Sequence, residues 1–220
     1  MDYKLKSGRI LRVEQEEFPE DPRSWDNLGT MICSHGNYKL GDKQIEGKLA
    51  QLLTVANDIG ILPYIIGLDE EYKYDMDKLE DFIFAKKEAV VISLWLYKHS
   101  GITMHMHQPS CRWDSMTVGY IYVGEDAIKK EFGELTEETI EKARKILESE
   151  VCTYAQYLEG DVYRFEIIKQ ETCNLGHVHE EVVDSCGGFY GHNPNKNGML
   201  EHIDDELVTQ KEEICDMPTA

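Results

Sequence analysis

The run Ala89-Val90-Val91-Ile92-Ser93-Leu94-Trp95-Leu96-Tyr97 constrains the fold more than any other part of this chain. It is nearly continuously apolar, so both of its faces need cover, and it reads as a central strand. It is about half as long as the roughly 20 residues needed to cross a bilayer. A sheet built on it must be covered by amphipathic helices, and the sequence supplies them. Thr136 caps a helix running to about Leu158, with Ile140, Ala143, Leu147, Val151, Tyr154 and Leu158 as its buried stripe. Glu137 and Glu138 suit the positive end of that helix's dipole. Lys43–Ile59 reads as another helix, with Asp42 at its N-cap and Gly60 just past its end. Asp75 caps a third, with Leu79, Phe82 and Ile83 inward, and Glu125–Phe132 is a short one ended by Gly133.

The other strands surround these helices without alternating with them. Tyr3–Glu17 predicts a hairpin turning at Ser7-Gly8, and Trp25–Cys33 ends as a short strand. Leu62–Ile66 and Thr117–Val123 are further strands. Asp161–Lys169 and Val178–Ser185 pair through Gln170–Gly176. Lys98–Met116 is a long polar connection of the kind that often carries function, and Leu200–Ile214 is a short acidic helix. A hairpin at the start and another near the end predict an α+β fold: an antiparallel or mixed β-sheet with helices packed on it. The expectation is one compact domain over 1–220, with an acidic C-terminal segment at about 199–220.

Charge narrows the partners. Asp and Glu number 42 against 23 Lys and Arg, a formal net charge of −19. Such a chain repels nucleic-acid phosphates and anionic membranes, so neither is an expected ligand. The acid falls in Asp69–Asp81, Glu131–Glu159 and Glu201–Asp216. It either keeps the protein soluble or forms a face for a basic partner, and Glu137, Glu138, Glu141, Glu148, Glu201, Asp204, Asp205 and Glu206 are the candidate partner residues. The six Cys form no C-x-x-C pair, and the N-terminus lacks a secretory signal. Reduced thiols in a cytoplasmic protein are expected.

Several residues invite a chemical reading. His105 with His107, and His177 with His179, are each two apart, which on a strand puts two imidazoles on one face in position to share a metal. Surface histidines explain both pairs equally simply. In the loop Lys98–Ser115, Cys111 is a candidate nucleophile, Arg112 a positive neighbour and Asp114 a carboxylate that could orient a histidine, with His99 as further polar lining. The plain alternative is that Cys111 packs and Asp114 turns the chain. Asp184–Gly191 adds Cys186 and Tyr190 in a glycine-rich stretch that is neither a Walker loop nor a dinucleotide fingerprint. These two loops are the candidate enzyme or nucleotide-ligand site. No calcium loop, H-E-x-x-H or G-x-S-x-G motif is present, and no cofactor is expected.

The strings Trp25–Met31, Tyr38–Asp42, His99–Met104, Pro109–Ser115, Val118–Val123, Tyr154–Tyr163 and Asp184–Gly191, in that order, resemble a family of proteins encoded by bacterial phages, prophages and plasmids. The family has no established activity. This chain departs from it at His105 and His107, where relatives more often carry hydroxyl groups, and around Cys173–Glu181. Both departures count against the metal pairs. The resemblance implies a setting in which small acidic proteins block restriction or CRISPR-type host defences. The expected function is therefore a non-enzymatic acidic binding protein with a basic partner. A small enzyme and a phage housekeeping protein are the alternatives.

Overall fold

A computed structural model describes residues 2–67, 75–99, 101–111, 113–194 and 196–203. The fold is α+β, as the sequence predicts, with one antiparallel and one mixed sheet and helices packed on them. The chain groups into two compact units, Met1–Asp21 with Gln156–Ala220, and Pro22–Ala155. Among the described residues no helix is long and apolar enough to cross a membrane.

The first unit holds strands β1 (Asp2–Lys4), β2 (Ile10–Gln15), β8 (Val162–Thr172) and β9 (Val178–Tyr190), ordered β1-β2-β8-β9 and antiparallel throughout. The expected hairpin forms, and Gly8 turns it at φ 81°, a conformation that costs other residues a steric clash. One face carries Leu11, Val13, Phe165, Ile167 and Phe189, which pack with Leu5 and with Met199, Leu200 and Ile203. The described part of the expected C-terminal helix is the single 3-10 turn Met199–Glu201. The remainder, Asp204, Asp205 and Glu206 included, lies outside the described residues.

The second unit holds β3 (Thr30–Cys33), β4 (Lys43–Gln44), α1 (Lys48–Asp58), α2 (Leu62–Ile66), α3 (Met76–Phe84), β5 (Val90–Lys98), β6 (Ile102–His105), β7 (Ser115–Val123), α4 (Glu125–Phe132) and most of α5 (Glu137–Glu159). Its sheet runs β4-β3-β7-β5-β6, with β3 and β4 parallel. Leu52, Val55 and Ala56 of α1, Ile65 of α2, and Leu79 and Ile83 of α3 bury Ile32, Tyr120 and Tyr122 of the sheet. Leu147 of α5 lies with Ile121 of β7 at Gly29, where an added Cβ would meet both at 2.9 Å. Gly119 is tighter still, since a Cβ there would sit 1.9 Å from the Ile32 carbonyl oxygen.

Four expectations need correction. The helix expected from Lys43 begins at Lys48, because Lys43 and Gln44 pair with β3 and the Asp42 carboxylate binds Arg23 instead of capping. Leu62–Ile66 is helical, with Pro63 in its first turn; a short apolar run between glycines has no period to separate helix from strand. The polar connection after β5 contains a strand, β6, which pairs with β5 so that Ile102 faces Lys98. Finally, β5 is interior to its sheet but not covered equally on both faces. Val90, Ile92, Leu94 and Leu96 are buried, while Val91, Ser93, Trp95 and Tyr97 stay partly open.

Candidate functional site

In the second unit the structure assembles part of the predicted thiol site. The Cys111 thiol donates to Asp114 Oδ2 at 3.2 Å, and His99 Nδ1 lies 3.8 Å from the same oxygen. Arg112 lies outside the described residues. The thiol thus points at a carboxylate and not at an imidazole, the reverse of the arrangement that generates a thiolate nucleophile. The hydroxyl of Ser115 closes the turn by donating to the Cys111 carbonyl. Trp113 is 97% exposed. Beside this turn, the His99 ring stacks on Tyr97 at 6.1 Å.

The other half of the predicted enzyme site, Cys186 and Tyr190, belongs to the first unit. Cys186 sits on β9 beside Glu16, Glu17, Phe18 and Arg164 around a hollow of about 340 Å³. Tyr190 donates its phenol hydrogen to the Glu20 carbonyl. Burial, and then the carboxylates of Glu20, Glu16 and Asp21, push that phenol up to about 12. Burial and then Asp21 likewise raise Tyr157. The tyrosines therefore sense a local negative field from the loop after β2. At the centre of that loop Phe18 is 84% exposed, between Glu16-Glu17 and Glu20-Asp21. The Glu16 carboxylate also accepts from the Gly188 amide at 2.7 Å, which ties the loop to β9.

Tyr190 also lines a cavity of about 560 Å³, together with residues including Gln156, Asp161, Tyr163 and His192. The Asp161 carboxylate accepts from the His192 amide at 3.2 Å and lies 3.5 Å from its ring Nδ1. Burial and then Asp161 raise the Tyr163 phenol. Gly191 at φ 93° brings the backbone against Gln156, where a Cβ would stand 2.7 Å from the side-chain nitrogen.

The predicted partner carboxylates of α5 do not stand alone. Glu138 pairs with Lys142 at 2.7 Å and Glu141 with Lys145 at 3.9 Å, so this helix face carries both signs. Glu137 is exposed in the first turn, Glu148 is half-buried, and Glu201 is exposed in the 3-10 turn. Of the histidine pairs, His105 ends β6 while His107 lies beyond the strand, so the two share no strand face. His177 precedes β9 and His179 lies on it, both exposed. Among the described residues no group of three His, Cys, Asp or Glu is placed to hold a metal ion.

Two features escaped sequence reasoning. Asp161 and His192 are 31 residues apart, and only the pairing of β8 with β9 joins them. Phe18 stands between two acidic pairs in the sequence, but only the structure shows that it stays exposed. No family model, no curated protein and no solved structure matches the chain.

Proposed function

We propose that this chain is a non-enzymatic binding protein that engages a basic partner through the acidic loop Glu16–Asp21. One observation carries the reading: Phe18, 84% exposed, stands in a short loop between the acidic pairs Glu16-Glu17 and Glu20-Asp21. An exposed aromatic anchor in a mainly acidic surround, with Arg164 lining the same hollow, supplies contact area and steering together. The reversed Cys111–Asp114 geometry also favours binding over thiol catalysis. Proteins that process nucleic acid are the partner class this charge suits, because their channels are built to hold phosphates. The resemblance to proteins of mobile elements puts restriction and CRISPR-type defence proteins first among them.

The test is a tagged pull-down from bacterial host cells at low and high salt, run beside Phe18→Ala and a Glu16→Lys/Glu20→Lys variant. The reading expects a basic nucleic-acid-processing protein that is retained at low salt, released at high salt and lost with either variant. Retention unchanged by both variants would sink it.

A second reading is a small-molecule site at the Asp161–His192 cavity, favoured by the carboxylate–imidazole pair and a volume of about 560 Å³. Thermal-shift screening against Asp161→Asn separates it from the first.

A further inference from the structure

We infer that the outer edge of β9 pairs antiparallel with β9 of a second copy, about a two-fold axis at Glu180. Among the described residues β9 is an outer strand, with β8 on one side and no strand on the other. It is long, spanning Val178–Tyr190, and contains no proline. The partner ladder on the inner side stops early. β2 begins at Ile10, opposite Ile168, so in the ladder Lys169–Thr172 pair only with Val178–Glu181. Every side chain from Val178 to Ser185 is exposed. Proteins usually blunt such an edge with shortness, proline, bulges or charge; β9 has its charge in Glu180, Glu181 and Asp184 and a register shift beyond Val182.

The residues on this edge are self-complementary. Val178–Val182 pairs with β8 in unbroken register, Thr172 with Val178 through to Ile168 with Val182, before the register shifts. Strand alternation then places Val178, Glu180 and Val182 on one face and His179 and Glu181 on the other. The run Val178-His179-Glu180-Glu181-Val182 reads alike in both directions in chemical type at its ends. Folded onto itself about Glu180, it sets Val178 against Val182 of the second copy, and His179 against Glu181. Both contacts occur twice by symmetry. The two valines are 57% and 52% exposed in the single chain, so the pairing covers apolar surface that is otherwise solvated.

The one like-charge contact is Glu180 against Glu180. Each is already held within its own chain, by Arg12 at 3.1 Å and Gln170 at 3.0 Å. Arg12 also grips Asp2 through two bonds of 3.0 Å, which fixes the guanidinium beside the edge. A pairing segment this short predicts a weak, concentration-dependent dimer and not an obligate one. It leaves Phe18 and the acidic loop outside the pairing segment.

The experiment is sedimentation velocity of the full chain over a wide concentration range, with hydrogen exchange of the β9 amides. Wild type is expected to dimerise at high concentration, with protection of Val178–Val182 that rises as dimer forms. Two variants at one exposed position move in opposite directions. His179→Glu puts carboxylate against carboxylate twice and weakens the dimer about tenfold, while His179→Lys strengthens it by a similar factor. A monomer at every concentration overturns the inference. So do a dimer that responds equally to both variants, and β9 protection that is independent of concentration.

Discussion

Arg23 offers the sharpest test of how the second unit is held together. Its side chain is 4% exposed and at least four of its five donors bond within the unit. It grips Asp42 through two bonds, Nε to Oδ1 at 2.8 Å and a terminal nitrogen to Oδ2 at 2.7 Å. It also reaches Glu150 of α5 at 2.9 Å and the Gly29 carbonyl at 2.7 Å. Burial would lower the guanidinium pKa, and the two carboxylates more than offset this and raise it. Arg23→Ala strands both carboxylates in a poorly solvated place, which typically costs about 3–5 kcal/mol. The lower end applies, because Asp42 keeps the Met31 amide at 2.6 Å and Glu150 keeps the Leu28 amide at 2.8 Å. The expected loss is about 3 kcal/mol, or roughly 6–12 °C in melting temperature for a chain of this size. Denaturant unfolding and calorimetry read it. Arg23→Lys keeps the charge but not the fork, and should lose about half as much. The triple replacement Arg23→Met, Asp42→Asn, Glu150→Gln should lose less than Arg23→Ala alone, since no charge is left uncompensated. An Arg23→Ala protein within about 0.5 kcal/mol of wild type would refute this account of the clamp.

Three further outcomes follow from named contacts. Tyr120 donates to Glu80 at 3.1 Å and Tyr122 to Asp58 at 2.6 Å, and burial first, then these carboxylates, raise both phenols well above the ordinary tyrosine value of about 10. The unfolded chain loses these protons above about pH 10 while the folded chain keeps them. Stability is therefore intact below pH 10 and falls by roughly 2.7 kcal/mol per pH unit above it, and Tyr120→Phe/Tyr122→Phe should flatten that slope in unfolding measurements. Gly119→Ala forces a Cβ to within 1.9 Å of the Ile32 carbonyl oxygen and should cost about 3 kcal/mol or more by denaturant unfolding; a neutral effect would mean that β3 and β7 are less closely apposed. Cys33 is buried, and that burial first, with Asp42, pushes its thiol up to about 12, while Cys152 is exposed. A thiol reagent on the native protein should modify Cys152 and spare Cys33, and equal labelling rates would contradict the packing of β3.

Elements with their own local signals were legible before the structure. Thr136 accepts from the Thr139 amide at 3.2 Å, and Asp75 from the Lys78 amide at 3.2 Å, as their capping roles required. Gly133 ends α4 in the left-handed region. Both hairpins form where turn residues separate apolar alternations. The errors fall where a residue answers to a distant partner. Asp42 looks like a cap until Arg23 takes its carboxylate, and Phe82, expected inward on α3, is 37% exposed.

The candidate sites divide in the same way. Cys111, Asp114 and His99 lie close in sequence or across one hairpin, so their neighbourhood was readable, yet the direction of the thiol hydrogen was not. The acidic loop around Phe18 and the near-symmetric run Val178–Val182 stand in plain sight in the sequence. Their significance depends on exposure, which only folding sets. Side-chain period, turn chemistry and capping act over a few residues and are written locally in the chain. Which carboxylates find a base, which strand is left at the edge and which aromatic stays in water depend on contacts between residues far apart in sequence, and those the tertiary structure alone decides.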